Sequence, residues 1–216
     1  MTWLTRLGRL LGAGAAASAS RWAVLDVESS GLDPKRDRLI AIAAIALHFE
    51  QGRPRIALGD SFEVVLRQPE LAPDKRNILL HGIGVGAQRE GMQARAALEA
   101  FEHWLGDAPL IAFHSAFDCA LIQRAMRSVL GHRLPNSWVD LEPVAAAVYP
   151  QVAARSLDPW LAHFGIECAV RHQAAADTLA TAELLLRLWP AARAQMSDAS
   201  FGALQRLADE GRWLRR

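Results

Sequence analysis

The sequence predicts an α/β fold in which a mixed β-sheet is covered by helices. Three observations lead to this prediction: strand-like segments come first, strands and helices then alternate, and the composition suits one domain with a sizeable core. The chain has 216 residues, of which 51% are hydrophobic and 22% charged, which excludes a disordered chain. The formal net charge of +1 argues against a polycation that wraps nucleic acid through bulk charge, although it allows a local basic groove.

Three predicted strands open the domain. An apolar run at 22–26 ends in a carboxylate, a longer apolar run covers 38–47, and 60–67 alternates between apolar and polar residues. Clusters of turn-forming residues at 31–34 and 51–54 separate these runs. Successive strands joined by turns predict an antiparallel meander.

Helical patterns dominate the rest of the chain. The predicted helices cover 93–105, 117–130, a segment opened by Ser156, 178–189 and a last segment capped by Ser197 and Asp198, with a short strand at 110–113. We expect Pro190 to stop the helix that begins near 178. These patterns divide the chain into an N-terminal segment (1–21), a main domain (22–190) and a C-terminal helical extension (191–216).

The N-terminal segment has the outline of a signal peptide, with basic residues, a short apolar stretch and small residues. The stretch is only weakly hydrophobic, and its large apolar residues recur at helical spacing. We therefore favour an amphipathic helix followed by a linker. No apolar run approaches the roughly 18 residues that span a bilayer, and two cysteines cannot supply a disulfide framework. The expectation is a cytoplasmic protein without a membrane span.

The motif Asp-x-Glu occurs twice, and its first copy indicates a cation site. Asp26 and Glu28 lie at the exit of an apolar strand, where residues i and i+2 point to the same face. No basic residue lies between Arg21 and Lys35, so the two carboxylates would repel each other unless a cation lies between them. Hard divalent ions such as Mg²⁺ take oxygen ligands of this kind.

The second copy of the motif, at Asp140 and Glu142, indicates an ordinary structural role. It is followed by Pro143 and by an alanine-rich helical segment. No glycine beside it frees the backbone to approach a ligand. We therefore predict a surface turn and a helix cap at this position.

Two further motifs place acids at the ends of elements. Asp118 follows the strand predicted at 110–113 and falls in the first turn of a helix, at a strand end where open sheets tend to bind ligands. His172 and Asp177 are five positions apart, which is a poor spacing for one helical face and predicts His172 in a loop and Asp177 inside the first turns of the next helix. Taken singly, Asp118 could be a simple N-terminal helix residue and His172 a loop or capping residue.

The order of these motifs resembles the signature of the DEDDh class of 3′–5′ exonucleases, the type represented by the proofreading epsilon subunit of DNA polymerase III. The further matches lie at 24–34 with 37–40, at 81–83, at 138–141 with 149–150, and at 157–165. The family usually has two threonines where Ser29 and Ser30 stand, and often an asparagine where Ser115 stands. The resemblance covers about 22–189. It implies a ribonuclease H-like fold, with a mixed five-stranded sheet whose first three strands are antiparallel, flanked by helices.

The resemblance also implies hydrolysis of phosphodiesters by a two-metal mechanism. The carboxylates of Asp26, Glu28, Asp118 and Asp177 would hold two divalent ions, Mg²⁺ or Mn²⁺. His172 would act as the general base. The implied reaction releases nucleoside 5′-monophosphates from the 3′ end of a single strand, with DNA favoured over RNA. The residues expected to receive the terminal nucleotide are Ser29, Ser30, Gly31, Leu32, Ile83, His114 and Phe117.

Three other functions fit parts of the sequence. RNA-trimming exoribonucleases share the five signature residues, and no single residue here settles how a 2′-OH is contacted. A non-catalytic nucleic-acid-binding subunit docked on a polymerase is a second alternative, but the segment at 195–201 fits a helix N-cap better than a clamp-binding peptide. A phosphatase of small nucleotides would also use a two-metal site. DNA polymerase subunits are the expected partners in proofreading or DNA repair, and since no long polymerase-binding tail follows, a stand-alone or loosely associated enzyme is favoured.

Overall fold

The computed structural model describes residues 21–68 and 75–214, so the amphipathic helix predicted within 1–20 lies outside the described residues. The strands are β1 (Arg21–Ser29), β2 (Leu39–Glu50), β3 (Arg53–Val65), β4 (Leu110–Ala112) and β5 (Trp138–Asp140). The helices are α1 (Lys75–His81), α2 (Val85–Glu90), α3 (Ala94–Leu105), α4 (Ser115–Val129), α5 (Leu141–Val148), α6 (Leu157–Phe164), α7 (Ala174–Gln195) and α8 (Phe201–Leu214). None of these helices is both long enough and apolar enough to cross a membrane.

The five strands form one mixed sheet in the order β3-β2-β1-β4-β5. β1 pairs antiparallel with β2, and β2 pairs antiparallel with β3. β4 runs parallel to both of its neighbours, β1 and β5. The predicted α/β fold, with a five-stranded sheet whose first three strands are antiparallel, is therefore confirmed.

β1 lies in the middle of the sheet, and side chains on both of its faces are buried. Trp22 and Val24 face a hydrophobic core built with α5, α6, α7 and α8. Leu25, one position on, faces a second core built with α3 and α4. Because side chains alternate along a strand, Asp26 and Glu28 point to the same face as Trp22 and Val24, which is the face that α7 covers.

The strand predicted at 60–67 is wrong in its start, because β3 begins at Arg53. Gln51 and Gly52 have φ angles of 51° and 75°, and Glu50 pairs with Arg53 across them. Two successive positive φ angles are typical of a type I′ turn, the tightest connection between antiparallel strands. A proline at the start of the strand obscured it in the sequence, but β3 is an edge strand, where a missing N–H is tolerated.

The prediction that Pro190 stops a helix is also wrong. α7 runs from Ala174 to Gln195, with Pro190 inside it. The side chain of Pro190 is exposed, whereas Trp189 and Ala192 are buried on either side of it. A proline inside a helix costs about 3 kcal/mol, and burial of the apolar side chains beyond it offsets this cost.

The last helix starts one turn later than predicted. The cap expected at Ser197 and Asp198 is instead Ser200, whose Oγ accepts a hydrogen bond from the N–H of Ala203 at 3.2 Å. Asp198 supports this cap by accepting from the N–H of Ser200 at 2.8 Å. A serine at this position satisfies one of the free N–H groups at a helix start. α8 then packs closely on α5, within the same core that covers the Asp26 face of the sheet.

Candidate active site

Three separate elements bring four carboxylates to one cavity at the carboxyl end of β1. Asp26 and Glu28 come from β1, Asp118 from the first turn of α4, and Asp177 from the first turn of α7. All four line a cavity of about 370 Å³, and His172 lines it with them. The structure therefore brings together all five residues that the sequence singled out.

The carboxylates of this cavity hold more negative charge than a buried site tolerates. Burial, followed by repulsion from Asp118, Glu28 and Asp177, raises the pKa of Asp26 well above its usual range. Burial and then Asp177 and Asp118 raise the pKa of Glu28 to about 8, and burial raises that of Asp118 to about 7. Within 21–68 and 75–214, the Oε1 atom of Glu28 is also buried without a hydrogen-bond partner. Such a group is stable only if protons or cations neutralise it.

Two side chains contact Asp177 directly. The guanidinium of Arg171 donates one hydrogen bond to Oδ1 of Asp177 and another to Oδ1 of Asp158. The Sγ atom of Cys168 donates to the same Oδ1 of Asp177 at 3.3 Å. Sequence reasoning gave neither Arg171 nor Cys168 a role in the site, because an arginine beside a helix start is most often a surface residue. One guanidinium cannot neutralise four carboxylates.

Two histidines of the cavity have left-handed backbones. His172 has a φ of 62°, and its N–H donates to Oδ2 of Asp177 at 3.0 Å. His114 has a φ of 62°, and its N–H donates to Oδ1 of Asp140 at 2.9 Å. A non-glycine residue in this region costs on the order of 1–3 kcal/mol and is usually held by its surroundings at functional sites. The predicted placement of His172 in a loop and Asp177 in the first turn of a helix is confirmed.

Most of the residues expected to receive the substrate line the cavity, and two do not. The lining includes Ser29, Gly31, Leu32, His114 and Phe117. Ser30 is turned toward its own loop, where its Oγ donates to Asp37 at 3.2 Å and accepts from the N–H of Arg38 at 2.8 Å. Ile83 is half-buried, and its N–H donates to the ring of His81 at 3.0 Å. Ser30 and Ile83 are thus not among the described residues that line the cavity, and their contact with the substrate stays a prediction.

Helix α1 supplies two lining residues that the sequence did not reveal. Asn77 and Leu80 line the cavity, and Nδ2 of Asn77 donates to the carbonyl oxygen of Ser29 at 2.6 Å. The side chain of Leu80 is 49% exposed. No helix was predicted here, so the spacing between the two residues carried no signal.

The loop after β1 packs closely against the carboxylate of Asp37, which belongs to the same loop. A Cβ atom at Gly31 would lie 2.5 Å from Oδ2 of Asp37, so only glycine fits without a shift. The same Oδ2 accepts from the N–H of Asp33 at 2.8 Å. The side chain of Leu32 projects from this loop and is 88% exposed at the edge of the cavity. The loop thus presents one apolar side chain from a fixed backbone.

The second Asp-x-Glu motif is the helix cap that the sequence predicts. Asp140 is the N-cap of α5, and its Oδ1 accepts from the N–H of Glu142 at 3.2 Å. The same oxygen accepts the hydrogen bond from His114. Asp140 therefore supports the wall of the cavity without joining its carboxylate cluster.

Hard divalent cations fit the donors of this cavity. Carboxylate oxygens are the ligands that Mg²⁺ and Mn²⁺ prefer, and the unpartnered Oε1 of Glu28 with the raised pKa values indicates missing positive charge. In the present side-chain arrangement, no three His, Cys, Asp or Glu residues of the described part surround one point as ligands. Ligation by Asp177 would require Arg171 to release it.

Known proteins resemble this chain in sequence. The family model described as Exonuclease matches residues 23–185. A protein of Rhodobacter capsulatus named DNA polymerase III subunit epsilon-like protein is 32% identical over 201 residues, covering 89% of this chain and 27% of the relative. DNA polymerase III PolC-type of Bacillus subtilis is 29% identical over 168 residues, covering 77% of this chain and 11% of the relative. The chain thus spans only 11% to 27% of the length of these two relatives.

Solved structures resemble it in fold. The Escherichia coli exonuclease I–single-stranded DNA complex superposes with a TM-score of 0.66 and 20% identity, over 81% of this chain and 43% of that chain. Cell-death related nuclease 4 superposes with a TM-score of 0.68 and 15% identity, over 80% of this chain and 64% of that chain. These likenesses assign the ribonuclease H-like fold.

Proposed function

The chain belongs to the exonuclease family, and from this membership we propose that it is a metal-dependent 3′–5′ exonuclease that releases nucleoside 5′-monophosphates from the 3′ end of single-stranded DNA. The proposal depends on one observation, the convergence of four carboxylates from three elements and of His172 on one cavity. DNA is chosen as the substrate because the sequence relatives are named as DNA polymerase III proteins and a structural relative is bound to single-stranded DNA.

Asp26, Glu28, Asp118 and Asp177 would hold two divalent ions, Mg²⁺ or Mn²⁺. When bound, such ions lower the pKa of water and stabilise the charge that develops on the attacking and leaving oxygens. The four carboxylates would supply hard oxygen ligands. Their mutual repulsion favours cation binding, because a cation relieves the unfavourable charge that raises the pKa values of Asp26, Glu28 and Asp118.

His172 would take the proton of the attacking water at an imidazole nitrogen. The water oxygen then bonds to phosphorus, the bond from phosphorus to the 3′ oxygen of the preceding nucleotide breaks, and that oxygen leaves as a hydroxyl after protonation. Imidazole suits proton transfer near neutral pH. The side chain of His172 is exposed at the cavity while its N–H is bound to Asp177, so the ring is free to meet a water at the phosphate.

The terminal nucleotide would contact apolar side chains of the cavity. Leu32, Leu80 and Phe117 all line it. Apolar and aromatic contacts with bases are tolerant of sequence, so a weak base preference is expected. Such a site requires an unpaired 3′ end, because a paired terminal base cannot enter it.

Digestion of a 5′-labelled single-stranded oligonucleotide with Mg²⁺, with Mn²⁺ or with EDTA tests the proposal. The wild-type protein should shorten the oligonucleotide one nucleotide at a time with either metal and be inactive in EDTA. Asp177→Asn should lower kcat at least about 1000-fold, since the metal contributes several kcal/mol to the transition state. Asp107→Asn removes an exposed carboxylate outside the cavity and is the matched control. Wild-type turnover by Asp177→Asn would contradict the assignment.

Digestion of other substrates distinguishes the proposed function from its alternatives. Parallel reactions with duplex DNA, RNA and free nucleotides separate a DNA exonuclease from an RNA-trimming enzyme or a phosphatase. The proposal also includes loose association with DNA polymerase subunits in the cytoplasm, supported by the names of the relatives. Gel filtration of the protein mixed with polymerase subunits measures that association.

A further inference from the structure

A second cavity, which we call the arginine groove, lies beside the core that packs between the sheet and helices α3 and α4. It has a volume of about 420 Å³, and four arginines line it: Arg36, Arg38, Arg67 and Arg124. Its floor is apolar and includes Leu39 and Leu121. No acidic side chain is among the described residues that line it. The groove thus concentrates positive charge in a chain whose formal net charge is only +1.

Three of these arginines are available for a ligand. Within the described residues, the side chains of Arg36, Arg67 and Arg124 form neither an ion pair nor a hydrogen bond. Arg36 and Arg67 are exposed and Arg124 is half-buried. A guanidinium presents a planar set of donors that matches phosphate oxygens in a bidentate way. Several such groups around one groove are suited to a polyanion rather than to a small neutral ligand.

Helix α4 connects the arginine groove to the catalytic cavity. Asp118 in its first turn lines the cavity, and Leu121, Arg124 and Ser128 line the groove. Spacings of three and four residues place these side chains along one stripe of the helix. At 1.5 Å per residue, Arg124 lies about 9 Å along the axis from Asp118.

The loop after β1 makes a second connection. Gly31 and Leu32 line the catalytic cavity, and Arg36 and Arg38 of the same loop line the groove. Leu39, at the start of β2, also lines the groove and pairs with Ser29 beside the cavity. The catalytic cavity and the arginine groove are therefore bordered by the same loop and by the same helix.

We propose that the arginine groove binds the sugar-phosphate backbone of the single strand on the 5′ side of the nucleotide being removed. The inference rests on the proposed function and deepens it, because it assigns a binding surface to the part of the substrate that is not cleaved. Contacts to phosphate position a strand without reading its sequence. DNA and RNA share this chemistry, so the groove does not select between them.

The test compares substrates that do and do not reach the groove. A thymidine dinucleotide contains only the scissile phosphate, whereas a 16-nucleotide dT oligonucleotide continues past it. The variant carries Arg36→Ala, Arg67→Ala and Arg124→Ala together. Arg127→Ala is the matched control, because Arg127 is exposed on the same helix but does not line the groove. Thermal unfolding of each protein verifies that it is folded.

The expected result is a loss that depends on substrate length and on salt. Each phosphate contact to a single strand contributes about 0.7 to the slope of log affinity against log salt. The loss of three contacts should therefore make the two proteins respond differently to salt. Between about 50 and 200 mM salt, the kcat/KM of the wild-type protein for the 16-mer should fall about 20-fold more than that of the triple variant. The dinucleotide should give the same kcat/KM with both proteins. Lysines at the three positions should restore the salt dependence but only part of the kcat/KM for the 16-mer, since the charge returns without the bidentate geometry.

Equal salt dependence of the wild-type and triple-variant proteins on the 16-mer would overturn the inference. The wild-type protein could cleave an rU 16-mer in place of the dT 16-mer. If the two proteins then differed in the same way on RNA, the result would support the groove and would identify the substrate as RNA. If the wild-type protein cleaved neither strand, the proposed function would fail. Fluorescence anisotropy of the labelled 16-mer would then test the groove independently of cleavage. Tighter binding by the wild-type protein than by the triple variant would support the groove, and equal binding would overturn it.

Discussion

Asp26-Val-Glu28 and Asp140-Leu-Glu142 have the same spacing and both stand where parallel strands end at one edge of the sheet. Asp140 accepts hydrogen bonds from two backbone N–H groups, those of Glu142 and His114. Oε1 of Glu28 is buried and accepts no hydrogen bond from the part of the chain that the structure describes. The difference lies in the donors nearby: Asp140 accepts from the backbone at the start of α5, whereas the strand that carries Glu28 offers its Oε1 no such donor among the described residues.

The largest expected difference between the two motifs is in turnover. Asp26→Asn and Glu28→Gln should each lower kcat at least about 1000-fold, because each removes the charge of a proposed metal ligand. Asp140→Asn, the same isosteric change in the other motif, should lower kcat less than about tenfold, because Asp140 does not line the cavity and its side chain accepts only from the backbone N–H groups of Glu142 and His114. Single-turnover digestion of a labelled oligonucleotide measures both effects. Losses of similar size in the two motifs would remove the distinction between them.

The second difference is in the pH dependence of stability without metal. Because the pKa of Glu28 is raised from 4.5 to about 8 in the folded chain, the folded state binds more protons than the unfolded state between these values. The free energy of unfolding should therefore fall as pH rises from about 4.5 to 8. Asp26 and Asp118, whose pKa values are raised too, should add to this decrease in the free energy of unfolding. We expect the decrease to exceed the roughly 1 kcal/mol that the removal of one helix N-cap costs.

Urea unfolding in EDTA at several pH values measures this loss. Mg²⁺ should reverse it above neutral pH, because a bound ligand stabilises the folded state. Glu28→Gln should flatten the profile, and Glu142→Gln should leave it unchanged. A wild-type protein whose stability rises over the same interval would show that the carboxylates of the cavity are satisfied without a cation.

A smaller effect is expected when the cap is removed. Asp140→Ala should lower the free energy of unfolding by about 1–2 kcal/mol, because α5 loses its N-cap and the N–H of His114 loses its acceptor. Metal binding should be unchanged, since Asp140 lies outside the carboxylate cluster. Chemical denaturation and Mn²⁺ titration of the same preparation test both statements, with Asp107→Ala as the exposed control.

The smallest effect is expected at Glu142. This residue lies in the first turn of α5, where a negative charge is stabilised by about 0.3–1 kcal/mol. Glu142→Gln should lose no more than this, and kcat should not change. Because salt screens such an interaction, the loss in stability should shrink at high salt. A loss of activity comparable to that of Glu28→Gln would place Glu142 in the catalytic site.

The sequence predicted those features that depend on local pattern. The alternation of β1, the position of Asp118 in a first turn and the cap at Asp140 each follow from spacing along one element. Pro190 shows where this reasoning ends, since the helix continues because Trp189 and Ala192 pack into a core formed by distant residues. Tertiary packing there outweighs a local helix-breaking signal.

The missing parts of the candidate site also depend on distant contacts. Leu80 reaches the cavity because Asn77 binds the carbonyl oxygen of Ser29, 48 positions earlier. Ile83 belongs to a segment that resembles the exonuclease family, but it is not among the described residues that line the cavity. Its N–H donates to the ring of His81. The contact of Arg171 with Asp177 could not be read from spacing, because arginines beside helix starts are common surface residues.

Diffraction data collected at the absorption edge of manganese, from crystals grown with Mn²⁺, locate the metal ions bound by the four carboxylates. Two anomalous peaks should lie among the carboxylates of Asp26, Glu28, Asp118 and Asp177, with the guanidinium of Arg171 displaced from Asp177. Crystals of Asp118→Asn grown in the same way should lose at least one peak. Absence of manganese from the wild-type cavity, or peaks bound elsewhere on the chain, would contradict the assignment of these four acids to a single metal site.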